Sequence, residues 1–217
     1  MDKEDKLKIL KKLNIKYIYH ITHLDNLDNI LEYGLYPHGN KYQKKDISNN
    51  EVNDRRVKKE SIYNKSIHSY VPFYFNPRNA MLYRNQRYFG NDIIILGYDN
   101  SIACKNGTIF TTRNASSDKV EFTNNIFNIF KFKWKDIFAK RWTKKFEFED
   151  ASYKFISNDT IKQRMMAEVL IENRVKNKNI NVIFTQDSKT AKFIVTNFRV
   201  DNIEVVVNQS LFFKDYI

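Results

Sequence analysis

Apolar positions near the start of the chain follow two different periods. Residues 15–22, Ile-Lys-Tyr-Ile-Tyr-His-Ile-Thr, are rich in β-branched and aromatic side chains, which predicts a strand. Thr22 and Asp25 then match a capping box, and Gly34 matches a glycine helix terminator. Between them lies an apolar stripe with helical spacing, formed by Leu24, Leu27, Ile30 and Leu31. The pattern therefore predicts a strand followed by a helix, with His20 near the junction.

An aromatic stretch occupies residues 68–83, His-Ser-Tyr-Val-Pro-Phe-Tyr-Phe-Asn-Pro-Arg-Asn-Ala-Met-Leu-Tyr. Its β-forming residues predict a short strand, and Pro72 places that strand at a sheet edge or a bulge because proline lacks a ladder donor. Pro77 predicts the end of the strand and a helix over 78–83. Two interpretations remain open for this stretch: a ledge that binds a ligand, or a core strand followed by a turn.

The rest of the chain mixes helical and strand patterns. A polar, Lys-rich helix or arm is predicted over 2–12, strands over 92–98, 107–112, 181–185 and 203–207, and a helix over 188–198. Asp118 predicts the start of a further helix with an apolar face that continues irregularly to Trp142. Residues 163–171 pass from a polar entry into a strand. Because no linker or change of composition divides the 217 residues, we expect a single domain over 1–217.

Composition narrows the class of protein. The formal net charge is +12, which favours polyanionic partners such as nucleic acid but shows neither specificity nor chemistry. One cysteine, Cys104, excludes an internal disulfide and a cysteine-based zinc cluster, and indicates a reducing compartment. The charged start of the chain lacks the apolar core of a secretory signal, and no apolar run is long enough for a membrane span. We therefore expect a cytoplasmic protein without a membrane partner.

Three features carry candidate chemistry. Residues 38–66 form a long polar segment with Arg55-Arg56, which indicates either a phosphate- or base-binding loop or a solvated charged surface. His20 is either a ligand-binding residue or a histidine that satisfies a local hydrogen bond. Glu168 stands between Ala167 and Val169, where a buried carboxylate needs a partner or a task, unless it simply faces solvent.

Several familiar motifs are absent from the sequence. Neither a P-loop nor a G-x-G-x-x-G turn is present, and no G-x-S-x-G elbow occurs. His20 and His23 have weak metal-ligand spacing without an acidic third ligand nearby. We therefore predict no bound metal.

Taken in order, three fragments resemble the DarT family of DNA ADP-ribosyltransferases. They are His20-Ile-Thr-His with Asn26-Leu and Ile30-Leu-x-x-Gly34, then Tyr70-Val-Pro-Phe-Tyr-Phe-x-Pro-Arg with Met81-Leu, then Ala167-Glu-Val-Leu. The resemblance implies an α+β fold of the ADP-ribosyltransferase type, with split mixed β-sheets and flanking helices. It also implies a bacterial toxin that transfers ADP-ribose from NAD to a base in single-stranded DNA, opposed by a macrodomain-type antitoxin.

The resemblance also implies roles for individual residues. Glu168 takes the place of the catalytic glutamate. Arg56 or Arg55 takes the place of the active-site arginine. The residues expected to bind NAD are His20, Thr22, Asn26, Tyr74, Met81 and Arg55, and those expected to bind DNA are Arg78, Arg113 and Asn114.

The target base is left open by two departures from the family pattern. His68-Ser69 stands where many thymidine-modifying members have His-Asp, and residues 111–117 look closer to another branch of the family. We expect residues 113–117 and 150–161 to form part of the base pocket. Two rival functions remain: an ADP-ribosyltransferase that acts on RNA or protein, and a nucleic-acid-binding module without catalysis.

Overall fold

Short helices and strands alternate irregularly along the chain. The computed structural model describes residues 2–48, 54–147 and 153–214. Six helices have named bounds in this part: α1 (Lys3–Lys12), α2 (Leu27–Tyr33), α3 (Ala80–Phe89), α4 (Trp134–Ile137), α5 (Asp159–Arg164) and α6 (Ser188–Asn197). The ten strands are β1 (Tyr17–His23), β2 (Tyr70–Tyr74), β3 (Ile93–Asp99), β4 (Ile109–Thr111), β5 (Phe122–Thr123), β6 (Thr143–Glu147), β7 (Tyr153–Ser157), β8 (Glu168–Glu172), β9 (Ile180–Thr185) and β10 (Glu204–Val207).

Eight of these strands form one mixed sheet in the order β10-β9-β3-β1-β2-β8-β4-β5. The β9–β10 pair is parallel and the other pairs are antiparallel. Strands β6 and β7 form a separate antiparallel hairpin. Helices flank the sheet, so the expected α+β class is confirmed.

The sheet is nearly divided between β1 and β2. Seven residues of β1 pair with β3, whereas the described register between β1 and β2 consists of Tyr19 opposite Tyr74. Two half-sheets therefore meet at a narrow junction, and this matches the expected split of the sheet.

Pro72 explains part of that division. The Pro72 carbonyl accepts a hydrogen bond from His20 on β1, and a residue's N and C=O point to the same side of its strand. The nitrogen that lacks a proton therefore faces the weakly paired side. The prediction of a sheet edge or a bulge is wrong, since β2 lies inside the sheet and its pairing with β8 continues across Pro72 without a shift of register. The missing donor is tolerated because it falls at the junction.

Continuous apolar strands supply the core. Residues 93–98 of β3 are all buried, and Phe73, Phe75 and Tyr98 are among the largest fully buried side chains. Helices α1 and α2 contribute Leu10 and Leu27 to the same packed cluster. The predicted strands and the helix over 188–198 are confirmed within a few residues.

The predicted capping box is wrong. His23, rather than Thr22, accepts a hydrogen bond from Asp25 N, and a short 3-10 turn precedes α2. Gly34 does end α2, with a φ of 82° that favours glycine. Helix α3 begins at Ala80, after the Asn79 side chain has capped the N–H groups of Met81 and Leu82.

The long helix predicted from Asp118 to Trp142 is also wrong. That region contains β5, a 3-10 helix at Ile126–Lys131 and the single turn α4. In the 3-10 helix the buried residues Ile126 and Ile129 are three apart, a spacing that also occurs in an α-helix. The apolar spacing was therefore compatible with both structures. No helix in the described part of the chain has the length and hydropathy needed to cross a membrane.

Candidate active site

A cavity of about 640 Å³ opens beside the junction of the two half-sheets. Residues expected from the sequence to bind NAD line it: His20, Thr22, Asn26, Arg55, Tyr74 and Met81. Arg56 also lines the cavity, whereas Glu168 lies behind Arg56 with a fully buried side chain. The fold thus brings the three separate sequence fragments to one place.

Glu168 begins β8 directly opposite Tyr74 of β2. Residues opposite each other in an antiparallel pair point to the same face, so the phenol and the carboxylate lie side by side. The Glu168 backbone N–H donates to Thr111 Oγ1 at 2.8 Å, and Glu168 Oε1 accepts from Ala115 N at 2.9 Å. The carboxylate is therefore fixed by its own strand and by the loop after β4.

Arg56 is the counterion of Glu168. Its Nη2 lies 2.6 Å from both carboxylate oxygens, and its side chain is only 10% exposed. Burial lowers the pKa of Arg56, but the nearby Glu168 and Tyr74 raise it, and the net shift is upward. Arg55 also lines the cavity. Of the two candidate arginines, Arg56 is in direct contact with the acid among the described residues.

Tyr74 closes the same side of the cavity. Its hydroxyl donates to Met81 Sδ at 3.1 Å, seven residues further along the chain on α3. Burial raises the pKa of Tyr74, and the Glu168 carboxylate raises it further. The phenol therefore stays neutral at physiological pH, and its ring offers a flat surface next to the buried acid.

His20 contacts the opposite half-sheet. Its Nδ1 lies 3.0 Å from the Pro72 carbonyl oxygen, which only accepts, so Nδ1 carries the proton. Burial lowers the pKa of His20 more than the Pro72 hydrogen bond raises it. The ring is therefore neutral, and Nε2 is its hydrogen-bond acceptor.

Asn26 and Thr22 support the loop at 40–48. Asn26 Oδ1 accepts from the backbone N–H groups of Lys44 and Lys45 at 2.9 and 2.8 Å, and its Nδ2 donates to Lys45 O and Thr22 Oγ1 at 2.8 and 3.1 Å. These four bonds use the capacity of the amide. Asn26 thus shapes the cavity wall that contains Tyr42 and Ile47.

The residues expected to contact DNA are not all in one place. Asn114 lines the cavity, and its Oδ1 accepts from Ser116 N at 2.8 Å. Arg113 does not line it. Arg78 donates to the carbonyls of Lys140 and Phe212 and stacks on Phe213, so it packs the end of the described chain against the domain.

Part of the base pocket expected at 150–161 lies outside the described residues. Ser157 of this region lines the cavity, together with Lys162 and Gln163 just beyond it. Among the described residues no group of three or more His, Cys, Asp or Glu side chains is arranged to hold a metal ion.

Three contacts of the site were not predicted from the sequence. Ala115 lies in the segment 113–117 that was expected at the base pocket, but its backbone N–H bond to Glu168 is one that no side-chain pattern reveals. Thr111 orients the start of β8, and Trp142 lines the cavity although its position suggested a helix face. One signal for these contacts was present in the sequence. Residues 111–113, Thr-Thr-Arg, are three consecutive polar residues, which breaks the alternation of apolar and polar positions expected of a strand just before a polar loop.

Comparisons with known proteins identify the family of this chain. The family model for DarT, described as an ssDNA thymidine ADP-ribosyltransferase, matches residues 19–213. A DNA ADP-ribosyl transferase–DNA ADP-ribosyl glycohydrolase fusion protein from Thermosipho africanus (strain H17ap60334) is 28% identical over 198 residues, 85% of this chain and 46% of that protein. The chain thus spans about half the length of the curated relative that it matches.

Solved structures show the same fold. DarT of Thermus sp. 2.9 in complex with ADP-ribosylated ssDNA has a TM-score of 0.76 and 22% identity, covering 92% of this chain and 97% of that one. Thermosipho africanus DarTG in complex with ADP-ribose has a TM-score of 0.70 and 25% identity, covering 91% and 51%. With the family model matched over most of its length, this chain belongs to the DarT family of ssDNA thymidine ADP-ribosyltransferases.

Proposed function

We propose that this protein transfers ADP-ribose from NAD to a nucleobase of single-stranded DNA. The observation that carries the proposal is the buried Arg56–Glu168 pair, which lies opposite Tyr74 in a cavity that also contains His20. The cavity volume, about 640 Å³, is within the range of small-molecule sites. The family match and the NAD-bound DarT of Thermus sp. 2.9 support NAD as the donor.

The described contacts suggest how NAD is held. The neutral His20 ring accepts a hydrogen bond at Nε2 from a ribose hydroxyl, because its Nδ1 is occupied by the Pro72 carbonyl. The Tyr74 ring packs against the planar nicotinamide and is held in place by Met81. Both groups would therefore place the nicotinamide–ribose bond near Glu168.

In the reaction, the bond between ribose C1′ and the nicotinamide nitrogen breaks and its electron pair leaves with nicotinamide. The sugar becomes an oxocarbenium ion, whose positive charge is stabilised by the Glu168 carboxylate as it develops. A base nitrogen then attacks C1′ and loses its proton to the carboxylate. The products are the ADP-ribosylated base, nicotinamide and one proton.

Arg56 controls access to this carboxylate. Glu168 is fully buried beneath the guanidinium, so the ribose reaches the acid only when Arg56 turns aside. The displaced guanidinium then meets a substrate phosphate or the acceptor base, either of which accepts its hydrogen bonds. Arg56 thus serves as the counterion before the reaction and as a substrate contact during it.

Thymidine is the acceptor that the family description favours. Asn114 and Gln163 line the cavity and offer amide donors and acceptors for a base edge. The net charge of +12 supplies the attraction for the phosphate backbone. Base choice therefore rests on the cavity, and overall affinity rests on charge.

The same proposal extends to the cellular role. The Thermosipho africanus relative joins a DNA ADP-ribosyl transferase to a DNA ADP-ribosyl glycohydrolase, an enzyme of the opposite activity. We propose that this chain acts as a toxin, that a macrodomain-type antitoxin removes its product, and that it works in the cytoplasm, where DNA and NAD are both present.

Incubation with NAD and single-stranded oligonucleotides tests the proposal. Four oligonucleotides, each containing one kind of base at a central position, are analysed by mass spectrometry for an added ADP-ribosyl group. RNA and protein acceptors are included as separate arms. An adduct on the thymidine oligonucleotide supports the proposal, whereas label only on RNA or protein, or on none of them, refutes it.

Two variants of β8 give the matched comparison. Glu168→Gln should abolish transfer, because the carboxylate charge is lost while the side-chain shape is kept. Glu172→Gln makes the same chemical change at the other end of the strand, where the side chain is 32% exposed and pairs with Lys65. That control should retain full transfer.

A further inference from the structure

The turn that follows Arg56 is built around a second buried carboxylate, that of Glu60, which is 1% exposed. Its Oε2 accepts from the backbone N–H groups of Ile62 and Tyr63 at 2.6 and 2.9 Å. Its Oε1 accepts from Lys65 N at 2.9 Å and from the Tyr70 hydroxyl at 3.1 Å. Burial raises the pKa of Glu60, but the four donors together lower it by more. The net shift of the pKa is downward, so the group is ionised at neutral pH.

The backbone closes tightly around this carboxylate. Glu60 N donates to Lys65 O at 2.9 Å, and Ile67 N donates to Lys58 O at 3.1 Å. Asn64 inside the turn has a φ of 56°, a left-handed conformation that the surrounding bonds must maintain. The shape of residues 58–67 therefore depends on the acceptors that Glu60 provides at its centre.

This turn is connected at both ends to catalytic groups. Ser66 Oγ donates to the carbonyl of Arg56 at 3.3 Å, which ties the closing side of the turn to the arginine that contacts Glu168. Tyr70 begins β2 and lies opposite Glu172, in the same strand pair that places Tyr74 opposite Glu168. The turn around Glu60 thus connects the Arg56 backbone, through Ser66, to β2, the strand that pairs with the acid-bearing strand β8.

We propose that Glu60 is a positioning residue that sets where the Arg56 guanidinium lies relative to the Glu168 carboxylate. This inference rests on the proposed function, since it assigns Glu60 a part in the same reaction. Glu60 is not among the residues that line the cavity, so it acts through Arg56 rather than through substrate. The position of the Arg56 backbone matters because it sets where the guanidinium lies, both when it pairs with Glu168 and when it turns to the substrate, and small displacements of a catalytic group cost large factors in rate.

Glu60→Gln is the test variant. The amide replaces one acceptor oxygen with a donor that faces backbone N–H groups, so the turn loses part of its support. We expect kcat for transfer to fall about 10- to 100-fold, while KM for NAD changes less than about threefold. Glu172→Gln again provides the control, because it alters a partly exposed carboxylate that contacts Lys65 of the same turn. If Glu60→Gln transfers as fast as the control, the inference is wrong.

A double-mutant cycle separates positioning from general loss of structure. In an Arg56→Ala background, Glu60→Gln should reduce the residual kcat no further, because the group through which it acts is gone. An equal reduction in both backgrounds would show that Glu60 is merely structural. If Glu60→Gln fails to fold, Tyr70→Phe replaces it, since that change removes one hydrogen bond to Glu60 and keeps the ring. Because Tyr70 lines the cavity, the deciding readout for that variant is the Arg56–Glu168 separation rather than kcat.

A crystal structure of Glu60→Gln gives a readout that does not require activity. The separation of Arg56 Nη2 and Glu168 Oε1, 2.6 Å in the wild type, should increase or become variable. An unchanged separation overturns the inference. Should the wild-type protein modify no oligonucleotide, the proposed function fails, and this distance still decides the role of Glu60.

Discussion

Removing either partner of the Arg56–Glu168 pair should destabilise the fold to different extents. At 2.6 Å and an effective dielectric constant of about 20, the two charges attract by about 6 kcal/mol. Desolvation of each ion costs several kcal/mol, so the intact pair contributes little net stability. A large loss of stability appears only when one charge is left buried without the other.

The two single variants differ because the two side chains are buried differently. Arg56→Met leaves a fully buried carboxylate whose remaining donor among the described residues is the Ala115 N–H, so we expect a loss of about 3–5 kcal/mol. Glu168→Gln leaves a guanidinium that borders the cavity and still has an amide oxygen to bind, so we expect about 1–2 kcal/mol. For a domain of this size the larger loss lowers Tm by roughly 10 °C.

Thermal unfolding, monitored by calorimetry at neutral pH, measures the loss of stability in each single variant and in the double variant. The double variant should lose less than the two single losses combined, because neither charge is then left unpaired. Equal losses in the two single variants, or strict additivity in the double variant, would refute the unequal-burial argument.

Three further outcomes follow from other contacts. Burial lowers the pKa of His20, so below about pH 6.5 the unfolded chain binds a proton that the folded chain does not, and stability decreases as the pH is lowered. His20→Gln should therefore flatten the dependence of Tm on pH between about 6.5 and 5. An unchanged slope contradicts this. Asn26→Ala removes four hydrogen bonds, so backbone hydrogen exchange at 40–48 should accelerate and KM for NAD should rise about tenfold. Unaltered exchange would contradict the role of Asn26 in holding this loop. Gly34→Ala places a Cβ 2.4 Å from the Val175 carbonyl oxygen at a φ of 82°. Urea unfolding should therefore show that the free energy of unfolding falls by about 2–3 kcal/mol. A decrease below about 0.5 kcal/mol would contradict the clash.

Much of the fold was predictable because apolar runs and breakers agreed with each other. The strand over residues 93–98 is apolar without interruption and is buried throughout. Residues 126–142 could not be assigned, since Ile126 and Ile129 fit both a 3-10 and an α-helix. The hairpin of β6 and β7 mixes lysine with aromatic residues, which gives no clean period.

The candidate site shows the same limit at the level of contacts. The sequence motifs led to His20, Tyr74 and Glu168, and the fold brings them to one cavity or to the layer directly behind it. Asn26 was expected to contact NAD and lines the cavity, and its amide also holds the loop at 40–48, a distant contact that no local pattern encodes. The role of Glu60 depends on a turn closed by backbone bonds, so it too became visible only in three dimensions.

The narrow junction between β1 and β2 also bears on how such a protein can diverge. A slip of one residue in a strand normally reverses which side chains face the core, and that error spreads through every paired neighbour. Here the two half-sheets share one described register pair, Tyr19 with Tyr74, so a rearrangement in one half would meet little resistance from the other. A rearrangement confined to the outer strands β4 and β5 and the loop at 112–117 could therefore leave β1 and its His20 unchanged.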